Sequence, residues 1–191
     1  MAVGGRTAYR IGGDARQRRA AWPARKMRRM KTYAVLFCCT GNICRSPTAE
    51  AVFAKKIADA GVSGRILVDS AGTHGYHVGE PPDARTQLAA RKRGYDLSAL
   101  RARRFERMDF ERFDLVLAMD SENRAFLARL CPPSSGHKLK LMMEFAREQG
   151  ALDVPDPYYG SPAGFDRVLD MLEDATEGLL QSILSEQPLR S

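Results

Sequence analysis

Apolar runs and amphipathic segments alternate along most of the chain, and this alternation predicts strands and helices in turn. Four apolar stretches are predicted to be strands: 33–37, 65–69, 113–119 and 139–142. Four amphipathic stretches are predicted to be helices: 48–60, the segment from an Asp83 cap to Arg93, the segment after a Ser121 cap, and a final helix that starts at Ser161 and Pro162. Strands that alternate with helices indicate an α/β protein with a parallel sheet covered by helices on both faces.

The segments between these elements contain the residues that end them. Gly61 and Gly94 follow two of the predicted helices, as expected for helix C-termini. Residues 70–83 are predicted to be a loop, because their glycines and the pair Pro81 and Pro82 disfavour regular structure. Ligands of parallel α/β sheets bind beyond the carboxyl ends of the strands, so functional groups are expected in the loops that follow strands.

The net charge of +7 is unevenly distributed along the chain. Residues 1–31 hold ten Lys or Arg against one acid, which gives +9, whereas residues 32–191 hold 20 against 22 acids, which gives −2. The first segment also lacks apolar periodicity, so we predict a disordered basic extension at 1–31 and one folded domain at 32–191. Two interpretations of residues 1–31 are open. They are an artefact if translation begins at Met27 or Met30, or they form a basic arm that contacts acidic partners.

The composition excludes several classes of protein. The domain is slightly acidic and has no aromatic RNA-binding motif, so no nucleic-acid partner is expected. No run of 18 apolar residues occurs, so no membrane association is expected. The chain has four cysteines, three of them between 38 and 44, which is not the disulfide framework of a secreted protein. A reactive thiol requires a reducing compartment, so we expect a cytoplasmic protein.

The stretch 39–46, Cys-Thr-Gly-Asn-Ile-Cys-Arg-Ser, lies between the first predicted strand and Pro47, which suits a first helical position. A strand, a tight loop and a helix N-terminus together form an anion site, because loop N–H groups converge and the helix end adds about half a positive charge. These donors, together with Arg45 and the Ser46 hydroxyl, would favour the thiolate of Cys39 and would hold the oxygens of a phosphate.

The C-x5-R pattern alone is weak, so alternatives have to be considered. A nucleotide-binding P-loop is excluded because the chain has no G-x-x-x-x-G-K-[ST]. A zinc site at Cys38, Cys39 and Cys44 is disfavoured because no C-x-x-C pair exists and the histidines lack ligand spacing. Gly41 and Asn42 suit a positive φ, which favours the phosphate-binding interpretation.

The residues 39–47 resemble the phosphate-binding loop of the low molecular weight protein tyrosine phosphatases, and the segment 156–160, Asp-Pro-Tyr-Tyr-Gly, resembles the general-acid loop of that family. The resemblance extends from about Tyr33 to the last helix. It implies an open four-stranded α/β fold and an enzyme that hydrolyses phosphotyrosine in proteins or peptides and releases inorganic phosphate. It implies no cofactor and no metal, and a monomer or weak dimer is expected.

The resemblance also implies roles for individual residues. Cys39 attacks phosphorus, Arg45 binds the phosphate, and Asp156 protonates the leaving oxygen and later activates water. Ser70 is expected to support the loop, and Asp153 to be a turn residue. The other residues expected to bind phosphate or substrate are Thr40, Gly41, Asn42, Ile43, Cys44, Ser46, Tyr76, Tyr158 and Tyr159. The tyrosines would line a slot deep enough for phosphotyrosine but too deep for phosphoserine.

The chain departs from the family pattern at three places. Cys38 replaces an aliphatic residue and is expected to pack as a small apolar side chain. Leu100 stands where many members have a histidine that supports the loop through the residue matching Asn42, which puts part of that support in doubt. The extension at 1–31 is the third departure. Cys44 has two interpretations, a disulfide partner of Cys39 or a small buried side chain.

Three other functions are compatible with such a loop. Phosphoarginine phosphatases resemble it but tend to carry threonine at the position of Ile43 and to lack the paired tyrosines. Arsenate reductases relay oxidation through a downstream cysteine pair, whereas here only Cys131 lies downstream. A phosphotyrosine-binding module without catalysis is the alternative from a different class of protein.

Overall fold

A four-stranded parallel sheet forms the centre of the molecule. The structure is a computed structural model that describes residues 32–148 and 150–186, so the extension predicted at 1–31 lies outside the described residues. The strands are β1 (Tyr33–Cys39), β2 (Ile66–Gly72), β3 (Leu115–Ala118) and β4 (Leu139–Leu141). The helices are α1 (Arg45–Asp59), α2 (Ala84–Lys92), α3 (Asp109–Arg112), α4 (Ser121–Leu130) and α5 (Pro162–Glu186), with short 3-10 helices at Pro133–Lys138 and Met142–Phe145.

β1 is an inner strand of the sheet, whose strand order is β2-β1-β3-β4. All three strand pairs are parallel. Alternate residues of β1 enter two apolar cores: Val35 and Phe37 pack with α1 and α5, whereas Leu36 and Cys38 pack with α3 and α4. The prediction of an open parallel sheet with helices on both faces is therefore confirmed. Cys38 is fully buried, as expected for a small apolar side chain.

Helix α1 begins earlier than the sequence predicts, at Arg45 instead of Thr48. Pro47 is therefore its third residue and not its first. Proline is tolerated there because the N–H groups of a first helical turn have no intrahelical acceptor. Consequently the last two residues of the cysteine loop belong to the helix, which fixes the backbone of Arg45.

The caps of α2 and α4 differ in how well the sequence predicts them. Asp83 caps α2 as predicted, and its carboxylate accepts a hydrogen bond from the N–H of Arg85 at 2.8 Å. The cap of α4 is Asp120, whose side chain accepts from the N–H of Asn123 at 2.6 Å. Ser121, predicted to be the cap, is instead the first helical residue, because the charged carboxylate one residue earlier serves as the acceptor.

Strand β2 continues to Gly72 instead of ending at Asp69, because its ladder with β1 extends to the pair of Cys39 and Gly72. Strand pairing here overrides the low strand preference of glycine. A Cβ at Gly72 would lie 2.9 Å from the carbonyl oxygen of Thr40 and 2.8 Å from that of His74. The end of β2 therefore touches the backbone of the cysteine loop. β1 also extends two residues beyond its predicted end at Phe37, to Cys39, whereas β3 and β4 are shorter than predicted. α3 and the 3-10 helices are absent from the prediction because such short segments lack a periodic signal.

Helix α5 packs a continuous apolar stripe against α1 and the sheet. Its seven predicted core residues are all buried: Phe165, Val168, Leu169, Leu172, Leu179, Leu180 and Ile183. In its second half Gly178 lies directly against the Phe145 carbonyl, so that a Cβ at this position would overlap the carbonyl oxygen. Within the described residues, no helix combines the length and the hydropathy needed to cross a membrane.

Candidate active site

The cysteine loop joins β1 to α1 at the carboxyl end of the sheet. Asn42 has a φ of 57°, so it adopts the left-handed conformation expected in this loop, whereas Gly41 does not have a positive φ. Its N–H donates to Cys39 Sγ at 3.3 Å, and Ser46 Oγ lies 3.0 Å from the same sulfur. The Cys39 sulfur is therefore surrounded by groups that can donate hydrogen bonds to it.

The side chain of Asn42 is held in one orientation by three hydrogen bonds. Its Oδ1 accepts from the N–H of Arg103 at 2.9 Å. Its Nδ2 donates to Ser46 Oγ at 2.9 Å and to Ser70 Oγ at 2.8 Å. Leu100, the position in doubt from the sequence, takes no part in these bonds. The support of the loop is therefore complete without a histidine at this position.

Arg45 is almost completely buried, with 2% of its surface exposed. Its Nη1 donates to Asp120 Oδ2 and, at 3.1 Å, to the carbonyl oxygen of Val154. Its Nη2 donates to Thr40 Oγ1 at 3.3 Å and to Asp156 Oδ2 at 2.7 Å. Its Nε is buried and has no hydrogen-bond partner within residues 32–148 and 150–186. A buried donor without a partner is unfavourable, so a bound oxyanion would be stabilised there.

The charge of Arg45 is set by opposing effects. Burial disfavours the cation, but the charges of Cys39, Asp156 and Asp120 favour it, and together they raise the pKa of Arg45 above its usual value. Arg45 is therefore a permanent cation at the base of the loop.

Asp120 is a functional residue that the sequence interpretation missed. Besides capping α4 it pairs with Arg45. Asn123 lies between Asp120 and Thr40: in the amide orientation that satisfies both neighbours, its nitrogen donates to the carboxylate at 3.2 Å and its oxygen accepts from the Thr40 hydroxyl at 3.1 Å. The available signal was position, since Asp120 follows β3 closely at the same carboxyl edge of the sheet.

Asp156 pairs with Arg45, and 44% of its side chain is exposed. Besides its bond to Arg45, its Oδ1 accepts from the N–H of Tyr158 at 3.1 Å. The loop that carries Asp156 is anchored at Asp153, which accepts from the Ser121 N–H at 3.0 Å and from the Ser121 hydroxyl at 2.8 Å. Asp153, predicted to be a turn residue, therefore also joins this loop to the start of α4.

A cavity of about 150 Å³ opens above the cysteine loop. Its lining residues are Cys39, Thr40, Gly41, Ile43, Cys44, Arg45, Tyr76, His77, Asp156, Tyr158 and Tyr159. The cavity thus brings together most of the residues singled out in the sequence. The exceptions are Asn42, Ser46 and Ser70, which are buried and joined to one another by hydrogen bonds that support the loop.

Aromatic side chains form the rim of this cavity. Tyr76 stacks on His74 with ring centroids 5.2 Å apart, and Tyr158 meets Tyr159 edge-on at 4.9 Å. Tyr159 is 95% exposed, so it lies at the outer edge. His77, which the sequence interpretation did not assign to the site, lies so close to the loop that a Cβ at Gly41 would be 3.0 Å from its ring.

The other cysteines differ chemically from Cys39. Burial raises the pKa of the Cys44 thiol to about 12, although the Thr86 side chain partly offsets the rise. Burial also raises the pKa of Cys38, whose side chain enters the core on the opposite face of the sheet. Cys131 packs at the end of α4 and does not line the cavity.

The fold and the site define an α/β protein whose first strand–helix loop presents a cysteine and a buried arginine to one cavity, an arrangement suited to phosphate. Residues 34–189 match the family model described as low molecular weight phosphotyrosine protein phosphatase. The chain therefore belongs to the low molecular weight phosphotyrosine protein phosphatase family, as the two motifs predict.

Individual relatives agree with this assignment. A low molecular weight protein-tyrosine-phosphatase of Streptomyces coelicolor is 46% identical over 155 residues, which cover 80% of this chain and 94% of the relative. The crystal structure of YfkJ from Bacillus subtilis matches with a TM-score of 0.79 and 38% identity, over 83% of this chain and 99% of that one. A protein tyrosine phosphatase from Entamoeba histolytica, crystallised with Hepes in its active site, matches with a TM-score of 0.78 and 41% identity, over 81% and 98%.

Proposed function

We propose that this protein is a protein-tyrosine-phosphatase that hydrolyses phosphotyrosine in proteins or peptides, with Cys39 as nucleophile, Arg45 as phosphate ligand and Asp156 as general acid and base. The observation that carries the proposal is that these three side chains line one cavity at the carboxyl end of the sheet. The names of the relatives supply the substrate class, because they are described as protein-tyrosine-phosphatases.

In the first step, Cys39 Sγ attacks phosphorus in line and the bond from phosphorus to the phenolic oxygen breaks. A phosphate oxygen bound by Arg45 Nε and Nη2 would compete with Asp156 for the Nη2 donor. Asp156, no longer paired with Arg45, would take up a proton from solvent and, as the carboxylic acid, give that proton to the leaving oxygen. The products are phosphocysteine and the free phenol.

In the second step, water attacks the phosphorus of phosphocysteine while the Asp156 carboxylate takes up its proton. The sulfur leaves as a thiolate, which the Asn42 N–H and the Ser46 hydroxyl are placed to stabilise. Inorganic phosphate is the product. Arg45 and the loop amides stabilise the charge on the phosphoryl oxygens in both transition states.

The rim of the cavity supports an aromatic substrate. Tyr76, Tyr158 and the apolar Ile43 line it, and such side chains can pack against a phenyl ring. A phosphoarginine phosphatase is the alternative within this family of folds. The ratio of kcat/KM for phosphotyrosine and phosphoarginine peptides decides between them, and a preference for phosphoarginine would overturn the proposed substrate.

Two other functions have less support. Of the chain's four cysteines only Cys39 and Cys44 line the cavity, so the downstream thiol relay of an arsenate reductase has no place next to Cys39. A thiol-coupled arsenate assay tests this expectation. A phosphotyrosine-binding module without catalysis was suggested by Leu100, but the loop is fully supported without that position.

Hydrolysis of para-nitrophenyl phosphate tests the mechanism. We expect turnover that survives EDTA and that vanadate or iodoacetate stops. Cys39→Ser should abolish turnover, whereas Asp156→Ala should slow aryl phosphates less than alkyl phosphates, because a phenolate leaves more readily without a proton. If Cys39→Ser hydrolysed para-nitrophenyl phosphate at the wild-type rate, Cys39 would be excluded as the nucleophile.

The cellular setting of this activity is part of the proposal. A thiol nucleophile needs a reducing compartment, which supports a cytoplasmic location. We expect a monomer or weak dimer that uses no metal or other cofactor. We also predict that residues 32–191 form the catalytic domain and that residues 1–31 lie outside it. The activity of a chain shortened to residues 32–191 would test this prediction.

A further inference from the structure

Glu50 is a carboxylate outside the cavity that the mechanism does not use. It projects from α1, and its Oε2 accepts a hydrogen bond from Ser70 Oγ at 2.6 Å. The charged groups that act on it are Asp69 of β2 and Arg103 of the segment before α3. Arg103 itself forms ion pairs with Asp69 at 2.8 Å and with Asp109 at 2.9 Å, so its positive charge is shared with two carboxylates other than Glu50.

Hydrogen bonds connect Glu50 to the Cys39 sulfur, and their directions follow from the donors available. The hydroxyl of Ser70 gives its one hydrogen to ionised Glu50, so its oxygen accepts from Asn42 Nδ2. Asn42 cannot reverse its amide, because its Oδ1 accepts from the Arg103 N–H. Its second Nδ2 hydrogen goes to Ser46 Oγ.

The last bond of the chain reaches the sulfur. Because Ser46 Oγ accepts from Asn42, its own hydrogen is directed either to Cys39 Sγ at 3.0 Å or to the more distant Ala71 carbonyl oxygen at 3.4 Å. An ionised Cys39 is the better acceptor of the two. Every hydroxyl and amide hydrogen between Glu50 and Cys39 then has an acceptor.

We propose that Glu50 is a positioning residue, whose carboxylate orients the hydrogen bonds through Ser70, Asn42 and Ser46 and thereby holds the cysteine loop in its anion-binding conformation. The inference rests on the proposed role of the loop as the phosphate site. It assigns to α1 a further contribution to that site, in addition to Arg45 and Ser46.

The titration of Glu50 gives this role a dependence on pH. Burial is the main cause that raises the pKa of Glu50 to about 7; Asp69 adds to the rise, while the Ser70 hydrogen bond and Arg103 oppose it. When Oε2 is protonated it has a hydrogen to donate, and the nearest oxygen is that of Ser70. The Ser70 hydrogen then loses its acceptor and competes with the bond from Asn42.

Sulfate is a suitable probe of the loop, because it is a dianion that does not titrate between pH 5.5 and 8.5. Its dissociation constant is measured by calorimetry or amide chemical shifts for the full chain and for Glu50→Gln, Ser70→Ala and Asp59→Asn. Asp59 is an exposed carboxylate on the same helix and is the matched control. A carbon-13 titration of glutamate carboxyls locates the Glu50 ionisation directly.

We expect the sulfate affinity of the wild-type protein to rise about twofold to threefold as pH increases through 7, because polarisation along a hydrogen-bonded chain strengthens each bond by only about 10–30%. Asp59→Asn should keep this rise, and Glu50→Gln and Ser70→Ala should lose it. The comparison with the variants is decisive, because titratable groups of the cavity such as Cys39 and His77 are present in all of these proteins. Simple repulsion between Glu50 and the anion predicts that the affinity of wild type relative to Glu50→Gln falls over the same pH range.

The inference would be overturned if the sulfate affinity of wild type relative to Ser70→Ala stayed constant or fell as pH increases through 7. If Glu50→Gln fails to fold, the wild-type titration and Ser70→Ala still decide. Turnover of para-nitrophenyl phosphate by the same samples distinguishes a failure of the role of Glu50 from a failure of the proposed function. Normal turnover without the pH-dependent rise counts against Glu50 alone, whereas a wild-type protein that folds and binds sulfate but lacks turnover counts against the proposed function.

Discussion

Arg45 is the residue at which distant parts of the chain meet. It belongs to α1, while its partners come from the end of β3 at Asp120 and from the loop before α5 at Val154 and Asp156. The sequence predicted Arg45 from the C-x5-R spacing, because that pattern is local. It did not predict Asp120, whose partner is 75 positions away and carries no local signal.

Substitution of Asp120 tests its two roles separately. Asp120→Asn keeps a side chain that caps helices well but removes the charge that pairs with Arg45. We expect Asp120→Asn to unfold more easily, because the buried Arg45 cation loses one of its counter-charges. We also expect kcat to fall about tenfold to hundredfold, because a displaced guanidinium no longer matches the transition state.

Asp120→Ala serves as the comparison. It should lose activity as Asp120→Asn does, and in addition lose about 1 kcal/mol of stability with the cap. Steady-state kinetics and urea unfolding measure the two effects. Full activity in Asp120→Asn would show that the carboxylate does not position Arg45.

The cysteines provide a second prediction for individual residues. With its pKa raised to about 12, Cys44 has less than about one thiolate in 10,000 molecules at pH 7.5, and only the thiolate reacts with iodoacetate. We expect mass spectrometry to find carboxymethylation at Cys39 with loss of activity, protection by phosphate, and unmodified Cys44 and Cys38. Modification of Cys44 before Cys39 would contradict the assignment of the nucleophile.

Among the elements, those with long apolar patterns were predicted best. β1 and α5 are examples, since their stripes are buried as the periodicity indicates. The ends of elements were predicted less well, because they depend on partners: β2 reaches Gly72 only through its ladder with β1. For the same reason the contact of Asn42 with Arg103, 61 positions apart, is not visible in the sequence.

The contact between α5 and the 3-10 helix at Met142–Phe145 allows a test of packing between elements. Gly178→Ala places a Cβ against the Phe145 carbonyl, so one of the two elements must move. Overpacking of this kind costs about 1–3 kcal/mol. We expect a lower urea midpoint with little change in KM, because the contact does not involve the cavity.

Gly64→Ala is the matched control for this change. A Cβ at Gly64 has no atom within 4 Å, so the substitution should leave the urea midpoint nearly unchanged. Equal stability of the two variants would show that α5 does not approach the Phe145 backbone this closely in solution.

For the whole molecule, the class of fold can be predicted from the alternation of apolar and amphipathic segments in the sequence. The change of its free energy of unfolding with pH cannot be predicted in this way. Burial makes the folded state bind a proton at Glu50 more tightly than the unfolded chain, since the pKa of Glu50 is raised to about 7. Stability from this group is therefore greatest below the unfolded pKa of about 4.3 and falls as pH rises to about 7.

This dependence can be measured as a difference between two proteins. Glu50→Gln lacks the ionisation, so its free energy of unfolding relative to wild type should increase by up to about 3 kcal/mol between pH 4.5 and 8. Urea unfolding at several pH values gives the difference, and Asp59→Asn should show no such trend. A constant difference across this range would mean that Glu50 titrates as it does in the unfolded chain.

Because Arg45 is held by residues from distant segments of the chain, its position has a consequence for protein engineering. A graft of residues 39–47 onto another strand and helix would transfer the sulfur and the backbone turn, but the guanidinium would arrive without Asp120, Val154 and Asp156 to aim it. Such a chimera should alkylate readily and yet retain phosphate poorly. The transplantable unit therefore comprises at least three separate stretches of chain, and a nine-residue insert is too small to carry the chemistry.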